Sequence, residues 1–178
     1  MRIFSFEKKP KLEPRITFSD QDLVGIHLPH EDALVVTLRI ANFDIRRILI
    51  DNGSSVNVLF LSTLKKMDFD MRRVEPASSN LTGFSGEVKV PAGRTTLPII
   101  IGEESNYVTT LDEFHIVDSF SPYNAIMGRQ WLHDLGIIPS SFHQCMKLII
   151  RELVVTIRGD QKEAREYGYT ALKSSNLR

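Results

Sequence analysis

Residues 47–60 read RILIDNGSSVNVLF, and the rest of the chain is organised around this stretch. Aliphatic and β-branched residues run up to Ile50, a polar turn follows, and a second apolar segment begins at Val56. This pattern predicts two buried strands joined by a tight turn that carries one carboxylate, Asp51. A carboxylate in such a turn needs hydrogen-bond donors. The residues placed to supply them are Gly53, Ser54 and Ser55.

An ordinary hairpin turn is the alternative interpretation of the same residues. Asn52 and Gly53 both accept positive φ angles, and Asp-Asn-Gly between two strands is typical of a tight turn. That interpretation predicts a monomeric β-barrel with Asp51 exposed at a hairpin tip. The opposing interpretation places Asp51 in a partly buried loop beside residues 125–128. The sequence of residues 47–60 alone leaves both open.

Composition limits the class of protein. With 178 residues and 42% hydrophobic content, the chain is expected to form one domain with extensions. Lys and Arg total 22 and Asp and Glu total 22, so no net charge predicts a nucleic-acid or membrane partner. A single cysteine, Cys145, excludes an intramolecular disulfide. With no apolar run typical of a signal peptide or a membrane span, we expect an intracellular, cytoplasmic location.

The order of predicted elements indicates a mainly β protein. Residues 1–32 are polar and interrupted by prolines, which predicts an extension with a helical turn near Ser19. Residues 33–157 form the predicted domain, and residues 158–178 form a helical tail with Asp160 as its N-cap. Within the domain the predicted elements are a hairpin over 33–50, a short helix from Ser62, strands over 74–117, a helix over 128–135 closed by Gly136, and strands over 137–157.

A second stretch, residues 123–132, reads YNAIMGRQWL and has apolar residues leading into a glycine and then a helix. Together with the upstream Asp-x-Gly-Ser, it resembles the two halves of a retropepsin-type aspartic protease. The chain as a whole resembles the protease region of gypsy-type LTR retrotransposon Gag-Pol polyproteins from plants. The segments that carry the resemblance are 10–14 (PKLEP), 30–36 (HEDALVV), 51–55 (DNGSS), 81–87 (LTGFSGE), 121–129 (SPYNAIMGR), 142–147 (FHQCMK) and 158–165 (RGDQKEAR).

The resemblance implies a retropepsin-like acid-protease barrel with one or two short helices, a flap hairpin, and N- and C-terminal extensions. It also implies an aspartic endopeptidase that processes a polyprotein, in which each chain of a homodimer supplies one catalytic Asp51. The sequence supports the homodimer independently, because no second apolar-Asp-Thr/Ser-Gly stretch occurs. The nearest candidate, residues 116–120 (IVDSF), lacks the glycine that permits close backbone approach.

The resemblance also assigns roles to individual residues. Asp51 is the catalytic carboxylate, and Ser54 is expected to hydrogen-bond to it. Arg129 is expected to form an ion pair that steadies the helix or the dimer. The loop-supporting residues are Asn52, Gly53, Ser54 and Ser55. The flap residues, which would close over an extended peptide, are Gly83, Phe84, Ser85 and Gly86. The second motif consists of Ala125, Ile126, Met127, Gly128 and Arg129.

One residue departs from the family pattern. Retropepsins usually carry Thr or Ser after the catalytic Asp, whereas this chain has Asn52. The larger amide could misplace the carboxylates, so a catalytically weak or inactive dimerisation or peptide-binding module on the same fold is the alternative function. The sequence predicts no cofactor and no metal site, because His133, His143 and Cys145 fit no standard zinc spacing. Trp131 and Leu132 are predicted to anchor the short helix to the core.

Overall fold

The computed structural model describes residues 12–83 and 85–175, which contain eleven strands and three α-helices. The strands are β1 (Val35–Ile40), β2 (Phe43–Ile50), β3 (Asn57–Phe60), β4 (Leu81–Thr82), β5 (Val88–Lys89), β6 (Gly93–Glu103), β7 (Asn106–Val117), β8 (Ala125–Met127), β9 (Ile138–Ser140), β10 (Cys145–Ile150) and β11 (Leu153–Arg158). The helices are α1 (Leu61–Lys66), α2 (Arg129–Asp134) and α3 (Gln161–Ser175). Short 3-10 turns occur at Asp20–Leu23 and Met71–Arg73.

Six strands close into a barrel in the order β1, β2, β8, β3, β7, β6. The hairpin of β6 and β7 is its longest ladder, running from Gly93 opposite Ile116 to Glu103 opposite Asn106. Alternate residues of β6 are buried, as a strand with one face on the core requires. The largest fully buried side chains that fill the interior are Trp131, Phe114, Ile40, Ile48, Leu59, Leu64, Leu97, Ile99, Ile116, Met127, Leu132 and Met146.

Strand β8 lies between β2 and β3, and this decides how the Asp51 turn is built. Strand β2 pairs with β8 in parallel, with Ile50 opposite Met127. Strand β3 pairs with the other edge of β8 in an antiparallel ladder, with Val58 opposite Ile126. The two strands on either side of Asp51 are therefore separated by a strand from 70 residues further along the chain. The ordinary-hairpin interpretation is wrong for this turn.

A separate three-stranded sheet, in the order β11, β10, β9, shares the hydrophobic core of the barrel, and the N-terminal segment contacts it through Thr17 and Asp22. The Lys147 ammonium on β10 donates to the carbonyl of Thr17 at 2.8 Å and to the Asp22 carboxylate at 2.7 Å. The Arg158 guanidinium on β11 donates to the Asp22 carbonyl at 2.7 Å. The N-terminal segment is thus docked on the body of the protein by charged side chains.

The local sequence signals predicted most elements. Ser19 caps the 3-10 turn with a reciprocal capping box, and the Asp160 carboxylate accepts the N–H of Glu163 at 2.9 Å in the first turn of α3. Trp131 and Leu132 are each 1% exposed, which confirms their predicted role as anchors of α2. Predictions for residues 1–11, Phe84 and residues 176–178 lie outside the described residues. No helix within the described residues is long and apolar enough to cross a membrane.

Candidate active site

Asp51 follows the last residue of β2 and begins a loop that is closed by backbone hydrogen bonds. Its N–H donates to the carbonyl of Met127 at 3.0 Å, which extends the ladder between β2 and β8 by one bond. Its carboxylate Oδ1 accepts the N–H of Gly53 at 2.8 Å, and its carbonyl accepts the N–H of Ser54 at 3.2 Å. The side chain is half-buried and takes part in no salt bridge within the described residues. The loop therefore fixes the carboxylate and leaves it accessible.

Gly128 lets the second motif pack directly under this loop. A Cβ atom at this position would lie 2.4 Å from the carbonyl oxygen of Val56 and 2.8 Å from that of Ser54. Both neighbours are backbone atoms, so they cannot rotate away, and only glycine fits. The next residue, Arg129, donates its N–H to the Ser54 carbonyl at 2.7 Å. The Asp51 loop and the start of α2 consequently form one rigid unit.

Asn57 is a site residue that the sequence analysis missed. It is the first residue of β3, is 8% exposed, and its Oδ1 accepts the N–H of Gly128 at 2.9 Å. Its Nδ2 donates to the carbonyl of Glu113 on β7 at 3.3 Å. A polar residue at a fully buried strand start is a usable signal, because such a side chain must find partners. Its partners lie 56 and 71 residues away, so the sequence could not identify them.

One predicted contact of the loop, that of Ser54, is wrong. The Ser54 hydroxyl donates to the carbonyl of Val56 at 2.7 Å and so stabilises the loop without touching the Asp51 carboxylate. Hydroxyls reach nearby backbone carbonyls easily, and this local partner is closer in sequence. The Arg129 guanidinium donates to the carbonyl of Asn52 at 3.3 Å in the same chain. The ion pair expected to steady the helix or the dimer stays a prediction. Ser55 is exposed and makes no hydrogen bond within the described residues.

The predicted flap is a short hairpin of β4 and β5. Leu81 pairs with Lys89 and Thr82 with Val88, and the N–H of Gly83 donates to the carbonyl of Glu87 at 2.8 Å. Gly86 has a φ angle of +81°, a conformation that favours glycine in a tight turn. Ser85 and Gly86 are exposed at the tip, and Phe84 lies outside the described residues.

A small apolar cluster lies beside the loop and is separate from the barrel core. It is formed by buried residues of β3 and β7 and by half-buried residues packed on them: Val58, Phe60 and Val117, with Val56, Leu81, Tyr123 and Ile126. On β8, Ala125 and Met127 face the core, whereas Ile126 faces this cluster. Burial raises the pKa of the Tyr123 phenol, which stays protonated at neutral and acidic pH. Because Leu81 belongs to the cluster, the base of the hairpin is fixed beside the Asp51 loop.

The structure therefore brings together most of the predicted site residues. Asp51, Asn52 and Ser54 contact the second motif through Met127, Gly128 and Arg129, and Gly53 binds the Asp51 carboxylate. The tip of the hairpin makes no hydrogen bond to the loop within the described residues. That part of the chain also holds no group of three or more His, Cys, Asp or Glu side chains placed to bind a metal ion.

Comparison with solved structures identifies the fold. The retroviral protease-like domain of Ddi1 from Leishmania major aligns with a TM-score of 0.53 and 16% identity, over 74% of this chain and 96% of that chain. The fold is retropepsin-like. A retropepsin-like aspartic protease from Rickettsia conorii aligns with a TM-score of 0.47 and 17% identity, over 69% of this chain and 83% of that chain. EIAV protease complexed with the inhibitor HBY-793 aligns with a TM-score of 0.43 and 17% identity, over 65% of this chain and 99% of that chain.

No protein-family model and no curated protein matches the sequence. The similarity to the solved structures is thus a similarity of fold, and the chemistry of this chain has to be argued from its own residues.

Proposed function

We propose that the chain is an aspartic endopeptidase that acts as a homodimer, in which the two Asp51 carboxylates share one site. The observation that carries the proposal is the position of Asp51 in a retropepsin-like barrel. It follows directly on β2, on a loop closed by Gly53 and packed on Gly128. A single carboxylate cannot act as base and acid in the same step, so a second chain has to supply its partner.

The chemistry follows from placing two such carboxylates a few ångström apart. Like charges at that distance cannot both be ionised, so the pair holds one proton. The ionised carboxylate takes a proton from a bound water, and the protonated one donates to the scissile carbonyl. The bond formed joins the water oxygen to the carbonyl carbon and gives a tetrahedral diol. The carboxyl that took the proton from water then gives it to the peptide nitrogen, the other carboxylate takes a proton back from a hydroxyl of the diol, and the C–N bond breaks to leave a carboxylic acid and an amine. The resulting pair titrates as a unit, and mildly acidic pH favours its singly protonated form.

The proposed substrate is an extended peptide. The hairpin of residues 81–89 would close over it, and the apolar cluster around Val58 and Ile126 would line the cleft. We propose residues 33–157 as the catalytic unit and a polyprotein of a gypsy-type retrotransposon as the source and substrate. A reducing, intracellular setting is part of the proposal, since Cys145 is buried and unpaired.

Cleavage of a mixed peptide library at about pH 5 tests the proposal. Three proteins are compared: the natural chain, Asp51→Asn, and Asp118→Asn as a matched control, because Asp118 is also an Asp that follows an apolar strand but is exposed. The expected result is cleavage by the natural chain and by Asp118→Asn, a specific rate that rises with protein concentration, and loss of cleavage in Asp51→Asn. Equal cleavage by Asp51→Asn would overturn the assignment of Asp51.

One observation favours the alternative of a non-catalytic dimerisation or peptide-binding module. The Asn52 side chain is exposed and makes no hydrogen bond within the described residues, so it does not hold its own loop. If the folded, dimeric protein fails to cleave, Asn52→Thr distinguishes the two functions. Cleavage gained in Asn52→Thr identifies a protease weakened by Asn52, whereas peptide binding without cleavage in both proteins identifies a binding module.

A further inference from the structure

We infer that Asn57 is a positioning residue for Asp51: its carboxamide holds Gly128, and the residues on either side of Gly128 hold the two ends of the Asp51 loop. The expected effect on kcat rests on the proposed function. The expected effect on the position of the Asp51 loop rests on the hydrogen bonds alone. Asn57 itself lies six residues after Asp51 and acts on it only through the second motif.

Both ends of the Asn57 carboxamide are used, so its orientation is fixed. The oxygen accepts from the Gly128 N–H at 2.9 Å, and the nitrogen donates to the Glu113 carbonyl at 3.3 Å. Rotating the amide by half a turn would place a donor against a donor and an acceptor against an acceptor. The side chain therefore connects three elements at one point: the start of β3, the end of β8 and the strand β7.

The position of Gly128 is transmitted to Asp51 in two ways. Met127 accepts the Asp51 N–H at 3.0 Å, and the Arg129 N–H donates to Ser54 at 2.7 Å. Gly128 itself is in contact with the carbonyls of Ser54 and Val56, close enough that no Cβ fits between them. A shift of Gly128 would consequently move both ends of the loop that holds the carboxylate.

The energetics explain why a buried amide is placed here. An unpaired N–H of Gly128 beneath the loop would destabilise the fold, and Asn57 Oδ1 removes that cost by accepting its hydrogen bond. A hydrophobic residue of the same size would fill the space and leave the N–H without a partner. Because two carboxylates have to be aligned with a water and a carbonyl, an error of about 1 Å in their position can cost roughly 100-fold in rate.

The test uses Asn57→Leu, which keeps the branched shape of the side chain and removes both hydrogen bonds, and Asn106→Leu, a matched control at the start of β7. In Asn57→Leu we expect kcat to fall about 10- to 100-fold with KM within about twofold, whereas Asn106→Leu keeps both values. An unchanged kcat per folded protein, or a change in KM alone, would overturn the inference.

Asn57→Asp adds a readout that a merely structural role would not move. The introduced carboxyl accepts from Gly128 in either state, but it donates to the Glu113 carbonyl only when protonated. Its activity relative to the natural chain should therefore be highest near pH 4 and fall as the pH rises. A ratio that does not change with pH would contradict the inference, and this variant also serves if Asn57→Leu does not fold.

Amide hydrogen exchange separates this inference from the proposed function, because it needs no activity. In Asn57→Leu we expect the amides of Asp51 and Gly53 to exchange at least about tenfold faster, with the β6–β7 hairpin unchanged. If only the Gly128 amide changes, Asn57 does not position Asp51, whether or not the protein cleaves peptides. If the natural chain fails to cleave but Asp51 and Gly53 respond, the proposed function fails and the positioning role stands.

Discussion

The Asp51 loop and the N-terminal segment are both held by hydrogen bonds, but the bonds differ in kind. The loop uses backbone amides, a glycine contact and one carboxamide, and among the described residues its contacts involve two ionisable groups, the Asp51 carboxylate and the Arg129 guanidinium. The N-terminal segment uses charges: Asp22 with Lys147 at 2.7 Å, and Asp32 with Arg165 at 2.8 Å. In the proposed mechanism the Asp51 carboxylate has to exchange protons, and it is held mainly by backbone groups that do not titrate.

The titration behaviour of the N-terminal segment follows from its partners. The hydrogen bond from the Lys147 ammonium lowers the pKa of Asp22, with help from the Ser19 N–H. Burial alone would raise the pKa of Asp32, but hydrogen bonds from Arg165 and Gln161 more than offset it, and the pKa is lowered. Both carboxylates stabilise the docked segment only while they are ionised.

The largest expected effect comes from a substitution at Gly128, the tightest contact of the Asp51 loop. Gly128→Ala places a methyl group against the carbonyls of Ser54 and Val56, and neither can move alone. We expect a loss of about 3 kcal/mol in the free energy of unfolding, measured with urea, and a fall in activity of more than about 100-fold. Gly168→Ala is the matched control, since it adds the same methyl in α3 with nothing within 4 Å. Equal stability of the two variants would contradict the close packing of the loop.

The next largest effect is expected from removing the ion pair between Asp22 and Lys147, which holds the N-terminal segment. Lys147→Met leaves the buried Asp22 carboxylate without its ammonium partner, so residues 17–24 should detach. We expect limited proteolysis within this segment to become at least about tenfold faster. The double variant Asp22→Asn/Lys147→Met should be more resistant than Lys147→Met alone, because it leaves no buried carboxylate without its ammonium partner. A double variant that is worse than either single one would show that the ion pair does not hold the segment.

Acid should separate the two regions in the natural chain. Because the folded-state pKa values of Asp22 and Asp32 lie below the unfolded ones, their contribution is complete above about pH 4 and is lost as the pH falls through the folded values. Relative to the intrinsic rate at the same pH, amide exchange in residues 17–24 should therefore accelerate below about pH 4, before that of Met127 and Gly128. Simultaneous acceleration in both regions would contradict the comparison.

The smallest expected effect is a gain in the free energy of unfolding, and it controls for a general effect of acid. Burial raises the pKa of Asp112 on β7, and the charge of Asp134 raises it further. A carboxyl group whose pKa is raised in the folded state contributes stability at pH values below its unfolded-state pKa. That contribution is lost as the pH rises through the folded-state pKa. Since Asp112 is half-exposed, Asp112→Asn should gain only about 0.5 kcal/mol at pH 7 and nothing at pH 3, measured by urea unfolding. A loss of unfolding free energy in Asp112→Asn at pH 7 would contradict the raised pKa of Asp112.

Local signals explain why much of the fold could be predicted from the sequence. The hairpin of β1 and β2, the short helices α1 and α2, and the caps Ser19 and Asp160 all depend on residues a few positions apart. The Asp51 and Gly128 stretches were identified as two halves of one arrangement because glycine and carboxylate patterns persist where backbones approach closely.

The rest depends on contacts between distant residues, which one sequence does not specify. The insertion of β8 between β2 and β3 joins strands about 70 residues apart, and the Asn57–Gly128 bond has the same origin. Ser54 had several acceptors within reach, and the sequence could not show that Val56 would be chosen over Asp51. Residues 12–32 carry no periodic pattern, so their docking through Lys147, 125 residues after Asp22, was not visible.

The most direct test of the central claim mixes the natural chain with Asp51→Asn at a total concentration at which the protein is dimeric. If each site needs one Asp51 from each chain, mixed dimers are inactive. The activity of a fixed amount of natural chain should then fall to about one half at an equal amount of variant and to about one quarter at a threefold excess. Asp118→Asn added in the same amounts should instead raise the activity in proportion to the total protein, because all of its dimers are active. Activity that does not fall with added Asp51→Asn would contradict a shared site and assign catalysis to a single chain.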